Sequence, residues 1–279
     1  MSKIEELRSK QTQQQELTAI GTLRMIEINP IEICNRSCEF CPRSMPKLYP
    51  NQNLKTSNQL IEKIAQDLQE ISYTGRVGFV GFGEPTLHKG LVKQIKIISQ
   101  VKTISVIEVN TNGDFLTREK VKEYADAGLT HLTVSMYDKD ISKQLESLVK
   151  GTCLELVVRH CYSEKFELKI VNRNEIFTGL ESKSITRNCY IPFYKMFIDW
   201  NGTVLTCSED WGRKSDLGNV FRSSIKDIWL GKAINQYRLK LGQGARKDCD
   251  PCKSCNINGT LWGHDQHKFF DKYFKELGL

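Results

Sequence analysis

The chain has 279 residues, 39% hydrophobic and 26% charged, with a mean hydropathy of −0.41; this suits one large globular domain with a small appendage and excludes a disordered or collagen-like chain. The net charge of +7 comes from basic residues spread along the chain without a block of five or six, which argues against a nucleic-acid partner. No apolar run nears the roughly 20 residues of a membrane span, and the polar, Gln-rich stretch from Met1 to Gly21 lacks the apolar core of a secretory signal, so a cytoplasmic location without a membrane partner is expected.

Met25–Ile33 alternates β-branched and polar residues and predicts a strand running into a cysteine-bearing loop. Thr56 or Ser57 is placed to cap a helix whose Leu60, Ile61, Ile64, Leu68 and Ile71 form an apolar stripe. A short strand over Arg76–Gly81 precedes a helix marked by Leu91, Val92, Ile95 and Ile98. Ile104–Val109 reads as a strand, Thr117–Ala127 as a helix stopped by Gly128, Leu129–Val134 as a strand and Ile141–Val149 as a helix stopped by Gly151. Two further strands, Leu154–Val158 and Phe166–Val171, have too few residues between them for a helix.

This alternation predicts an α/β fold, an open or partial barrel of parallel strands with ligands at the strands' carboxyl ends. Four polar loops fall there: the cysteine loop, GFGEP (Gly81 to Pro85), VNTNG (Val109 to Gly113) and Ser135-Met136-Tyr137. Beyond the barrel, Met196–Trp200 and Thr203–Thr206 read as a hairpin about Asn201-Gly202. Ser224 then caps a single helix ended by Gly242, with Ile225, Ile228, Trp229 and Ile234 on its apolar side.

Ten cysteines in a reducing compartment point to metal rather than disulfides. CNRSCEFC offers Cys34, Cys38 and Cys41 on one loop with no fourth Cys or His nearby, which suits three corners of a four-iron cluster with one iron left open. Cys189, Cys207, Cys249, Cys252 and Cys255 suffice to close a second site, either a zinc ribbon or another [4Fe-4S] cluster. Cys153 and Cys161 lack metal-type spacing and read as ordinary packed cysteines. His88 and His160 are candidate bases, with structural roles the plainer reading.

CNRSCEFC resembles the CxxxCxΦC signature of radical S-adenosylmethionine (SAM) enzymes, with Phe40 at the aromatic position. GFGEP resembles their GGEP motif, with Phe82 in place of one glycine. The resemblance spans Met25 to about Val171 and implies a partial (β/α) TIM-like barrel in which Cys34, Cys38 and Cys41 hold a [4Fe-4S] cluster whose open iron chelates SAM. It also implies SAM contacts from Phe40 to adenine, from Gly81, Gly83 and Glu84 to the methionine ammonium, and from Asn110 and Ser135 to ribose or carboxylate. The activity implied is reductive cleavage of SAM to a 5′-deoxyadenosyl radical that takes a hydrogen atom from the substrate, fed by a reductant such as flavodoxin or ferredoxin.

Downstream, a Cys, then Gly202-x4-Cys207, then a CxxC after a helix resembles the SPASM module, and more narrowly its single-cluster twitch form, since no cysteine follows Cys255. That implies Cys189, Cys207, Cys252 and Cys255 as ligands of an auxiliary [4Fe-4S] cluster, with Cys249 as alternate; the quartet's spacing is similar to that of a twitch-bearing dehydrogenase type from aminoglycoside biosynthesis. A fully ligated cluster is suited to accepting the electron of a substrate radical. Two clusters also lower the net charge to about +4.

Dehydrogenases of that type place a substrate-binding carboxylate two residues after the cysteine matching Cys207, which is Glu209 here, and relatives carry a substrate-facing arginine near Arg173; these two are the catalytic candidates. The chain is expected to divide into a polar extension (1–24), the radical SAM barrel (25–176) and a twitch/SPASM module of hairpin plus helix (177–279). The expected function is oxidation of a small polar substrate such as a sugar, cyclitol or aminoglycoside precursor. The alternatives are modification of a ribosomal peptide, for which 24 leading residues are too few to form an extra peptide-binding domain, and a zinc-binding interaction module.

Overall fold

The structure, a computed structural model, describes residues 18–137, 141–161 and 187–276. Strand and helix alternate through β1 (Met25–Ile28), α1 (Asn58–Glu70), β2 (Arg76–Phe79), α2 (Leu91–Ile98), β3 (Val106–Thr111), α3 (Arg118–Asp126), β4 (His131–Met136), α4 (Ser142–Val149) and β5 (Glu155–His160). Ser57 caps α1 by accepting from the Leu60 N–H, and Thr117 caps α3 through the Lys120 N–H. β1 stops at Ile28 rather than Ile33, because Pro30 has no N–H to give to a ladder. The strand expected over Phe166–Val171 lies outside the described residues.

β1 to β5 pair in parallel in sequence order. The hairpin of β6 (Lys195–Ile198) and β7 (Val204–Leu205) does not stand apart from them. β6 pairs in parallel with β1, Met25 opposite Lys195 and Ile28 opposite Ile198, and β7 pairs antiparallel with β6. One seven-stranded sheet results, ordered β5-β4-β3-β2-β1-β6-β7.

The single helix expected after Ser224 is two, α5 (Ile225–Leu230) and α6 (Lys232–Gly242), because the chain turns extended at Gly231 (ψ 163°). A final helix, α7 (His264–Glu276), was not expected; its Phe270 and Phe274 pack on Phe193 and Ala19.

Strand alternation gives the sheet two unlike faces. Ile26, Ile28, Val77, Phe79, Ile107, Val109, Leu132 and Val134 join Leu60, Ile64, Leu91, Ile95 and Val121 of the helices in the main core. The intervening positions Glu27, Glu108, Asn110, Thr133 and Ser135 are polar or charged, and Gly78 carries no side chain. Glu27 pairs with Lys195 at 2.9 Å and Glu108 with Arg76 at 3.0 Å. A barrel with an apolar outside and a polar lumen is built to hold a polar ligand.

Candidate active site

The four loops at the carboxyl ends of β1 to β4 enclose a cavity of about 360 Å³. Cys34, Cys38, Phe40 and Cys41 line it from the first loop, Gly81 to Glu84 from the second, Asn110 to Asn112 from the third, and Ser135 and Tyr137 from the fourth. Ser208, Glu209 and Trp211, immediately after Cys207, form a further wall. The structure therefore brings every expected SAM-side residue, and Glu209 of the expected catalytic pair, to one chamber; Arg173 lies outside the described residues.

The chamber is held by short polar links. Glu84 accepts from the Thr86 N–H (3.0 Å), the Thr86 and Thr111 hydroxyls (2.6 Å each) and the Asn112 N–H (2.9 Å), so its buried carboxylate ties the second loop to the third. Gly83 sits so close to the first loop that a Cβ would stand 2.1 Å from the Ile31 carbonyl oxygen. Ser135 donates to Asn110 Oδ1 at 3.3 Å. Phe40 packs on Tyr137 with ring centroids 5.3 Å apart, and burial pushes the Tyr137 phenol up to about 12.

Arg36, in the cluster loop, grips Asp114 at 2.6 Å and holds its carboxyl below the usual range. That pair, Glu27 and Trp211 are site features that the motifs did not mark. Only the alternation of Glu27 with apolar neighbours along β1 hinted at one of them.

The other set of cysteines lies behind that wall. Cys189, Cys207, Cys252 and Cys255 line one small buried pocket with Ile191, Leu241 and Arg246, while Cys249 packs nearby without lining it. Burial raises all four thiols, Cys255 to about 11 and Cys207 well above its ordinary value. Four buried thiols become thiolates only if something cationic joins them, as iron does.

The pocket also holds a fitting orphan. Arg246 is buried, donates to the Ile257 and Asn188 carbonyls at 2.9 Å each, and has an Nε that meets no acceptor among the described residues. An anionic thiolate-and-sulfide cluster would supply that acceptor.

Backbone N–H groups two residues on point at the sulfurs of Cys34 and Cys207 (Arg36 N at 3.5 Å, Glu209 N at 3.4 Å), and Ile191 and Ile257 serve Cys189 and Cys255 in the same way. Such bonds favour the thiolate form and tune a metal centre. Among the described residues, no three Cys, His, Asp or Glu side chains converge tightly enough for a single metal ion. The thiols ring cavities instead, an arrangement suited to a multi-iron cluster.

Two neighbours of the site have structural work. Asp210, next to Glu209, accepts from the Lys214 and Ser215 N–H groups at 3.0 and 2.8 Å and shapes a turn. His88 is buried against Thr56 and Gln94, and burial lowers its pKa.

A model of the radical SAM superfamily matches residues 28–138, and a model of the SPASM iron–sulfur cluster-binding domain matches residues 189–256. The chain belongs to the radical SAM superfamily. It is a radical SAM enzyme with a SPASM module, and its cofactors are SAM and [4Fe-4S] clusters.

Among curated relatives, the S-adenosyl-L-methionine-dependent 2-deoxy-scyllo-inosamine dehydrogenase of Niallia circulans is 28% identical over 248 residues, covering 88% of this chain and 97% of its own. A GTP 3′,8-cyclase of Aquifex aeolicus (strain VF5) is 29% identical over 173 residues, 58% of this chain and 51% of the relative. Among solved structures, BtrN in complex with AdoMet and 2-DOIA superposes with a TM-score of 0.74 at 26% identity, covering 87% of this chain and 97% of that one. Native anSMEcpe with bound AdoMet shares the fold at a TM-score of 0.57 and 13% identity, over 90% of this chain and 96% of that one. No helix among the described residues is long and apolar enough to cross a membrane.

Proposed function

We propose that this enzyme oxidises a secondary alcohol of a small polyhydroxylated ring, of the cyclitol or aminocyclitol type, to a ketone. One observation carries the reading: the segment that brings Cys207 into the auxiliary pocket continues into the SAM-side cavity as Ser208, Glu209 and Trp211. A substrate held there would touch the wall shared by both sites. The full-length likeness to a cyclitol-type dehydrogenase supports the same choice.

Cys34, Cys38 and Cys41 would hold the cluster that binds SAM, and Cys189, Cys207, Cys252 and Cys255 the auxiliary cluster, with Cys249 spare. Bound there, SAM and its cluster supply hydrogen-atom abstraction and the auxiliary cluster takes up one electron. The chain itself binds, orients and excludes water. Phe40 and Tyr137 offer an aromatic wall for adenine, and Gly81, Gly83, Glu84, Asn110 and Ser135 line the remainder of the SAM envelope.

Glu209 accepts a hydrogen bond from a substrate hydroxyl or ammonium and stands ready for the hydroxyl proton that must leave as the carbonyl forms. Arg173 is assigned to the developing oxyanion. A low-potential flavodoxin or ferredoxin in the cytoplasm is the proposed reductant, and the division into 1–24, 25–176 and 177–279 is retained as a functional one.

The test is anaerobic incubation of the iron-loaded protein with SAM, a reductant and 2-deoxy-scyllo-inosamine or related cyclitols deuterated at the carbinol carbon. The expected result is the ketone, with deuterium in 5′-deoxyadenosine. Turnover on peptides with none on any cyclitol would overturn the reading.

A further inference from the structure

The site that accepts SAM and the module that carries the auxiliary cysteines are joined by a ring of ion pairs that is buried on its inner side, with Arg213, 34% exposed, at its rim. Arg213 donates from Nη2 to Glu32 Oε1 and from Nε to Asp199 Oδ2, both at 2.6 Å. Glu32 receives Arg43 Nη2 at 2.7 Å on its other oxygen. The Asn29 amide donates to both carboxylates, at 2.6 Å to Glu32 and 2.8 Å to Asp199. Asn29 is fully buried, and Asp199, Glu32 and Arg43 nearly so.

All of this surrounds one residue, Phe82, in the middle of GFGEP. Asn29 Oδ1 accepts from the Phe82 N–H at 2.9 Å and Arg43 Nε donates to the Phe82 carbonyl at 2.9 Å, so both sides of its backbone are held. Its ring meets Trp211 (4.4 Å) and Phe197 (5.0 Å), and the Arg213 guanidinium lies 4.9 Å above it. A glycine at 82 would offer none of these ring contacts. The neighbours of Phe82, Gly81 and Gly83, form the cavity wall.

Arg213 is also held at a backbone cost. Its φ of +50° is one of only two left-handed non-glycine conformations among the described residues, and it falls at the end of the turn that its own N–H closes on the Asp210 carbonyl at 3.0 Å. Glycine would adopt the same angles freely.

We propose that Arg213 is a positioning residue: acting through Glu32, Asp199 and Asn29, it fixes the Phe82 peptide that shapes the SAM wall and locks the Cys207-to-Arg213 strap, with Glu209, against that wall. Arg213 lines neither the SAM-side cavity nor the auxiliary pocket. It sets the register between them. The inference rests on the SAM-site reading above and adds the residue that aligns it with the auxiliary module.

The test measures SAM dissociation constants by equilibrium dialysis on iron-loaded protein, together with iron content and unfolding midpoint. Arg213→Gly relieves the backbone but takes a cation from the buried Glu32 and Asp199, so it should fold and keep its iron with a lowered midpoint, while binding SAM about 10-fold more weakly, or 1.4 kcal/mol, at temperatures well below that midpoint. Arg213→Lys should recover most of that loss. In a Phe82→Gly background the Arg213→Gly change should add almost nothing, as expected for effects that share one route.

If Arg213→Gly does not fold, the paired change Glu32→Gln with Arg213→Gln removes the charges together and is held to the same 10-fold criterion. Wild-type SAM affinity in a folded variant, or a full Arg213→Gly effect without Phe82, overturns the proposal. Failure of the underlying site reading looks different: SAM binding would then survive loss of Cys34, Cys38 and Cys41.

Discussion

The two sets of cysteines occupy opposite kinds of place. Cys34, Cys38 and Cys41 are half-buried on a loop at the mouth of the barrel and share their cavity with residues from all four loops and from the segment after Cys207. Cys189, Cys207, Cys252 and Cys255 are buried in a pocket walled by aliphatic side chains and one cation, Arg246. Three ligands in an open chamber leave a metal position for a reactant; four in a closed one leave none. The first arrangement suits binding and bond cleavage, the second storage of an electron. The contrast teaches that accessibility, more than ligand type, assigns the roles.

Several measurements break or sharpen that contrast. The largest effect is expected from replacing Cys34, Cys38 and Cys41 together by Ala: about four of roughly eight irons should be lost and 5′-deoxyadenosine formation should fall by more than about 1,000-fold, read by iron assay and chromatography. Replacing Cys189 and Cys207 should remove the other half of the iron yet leave reductive SAM cleavage, with ketone formation abolished. Equal iron before and after would end the auxiliary assignment.

Next comes a finer cut within the second set. Cys252→Ser should strip the auxiliary cluster from the visible spectrum, whereas Cys249→Ser should leave the spectrum unchanged, since Cys249 lies off the pocket.

Glu84→Ala is smaller again. It strands four buried donors and should lower stability by about 2–4 kcal/mol in urea titrations while weakening SAM binding.

The smallest effect is a pH dependence on the barrel side. Burial lowers the folded pKa of His88 below its ordinary 6.5, so the unfolded chain binds the extra proton more readily. The stability His88 contributes is therefore present above about pH 6.5 and is lost as pH falls through and below that value. His88→Gln should flatten the slope of the unfolding midpoint between about pH 6.5 and 5. His267, on the auxiliary side and less buried, is lowered in the same direction and should give a weaker slope.

Much of the barrel was legible because its signals are local. Ser57 and Thr117 are caps with periodic apolar stripes behind them, and the four polar loops fall after strands in a fold where that alone places them on one face. What escaped reading depends on distant partners. Nothing within KMFI announces that Lys195–Ile198 will pair with a strand some 170 positions earlier. The charges of Glu32, Arg43 and Asp199 read as ordinary surface residues in the sequence, yet folding buries all three and brings Arg213 onto them from the rim.

The helix break at Gly231 was locally visible, since glycine is a poor helix former, and was outweighed by the apolar stripe on either side. The aromatic run Phe269, Phe270, Tyr273 and Phe274 has the i, i+4 spacing of α7 and was available in the sequence.

The pairing of β6 along β1 has a consequence for how the gene product could be divided. A fragment ending before Asn188 would bare the full edge of β1, a row of open amide and carbonyl groups flanked by Ile26 and Ile28, ready to recruit another chain. The cluster-bearing tail thus doubles as an edge guard, and the barrel half made by itself should precipitate instead of remaining as a smaller soluble enzyme.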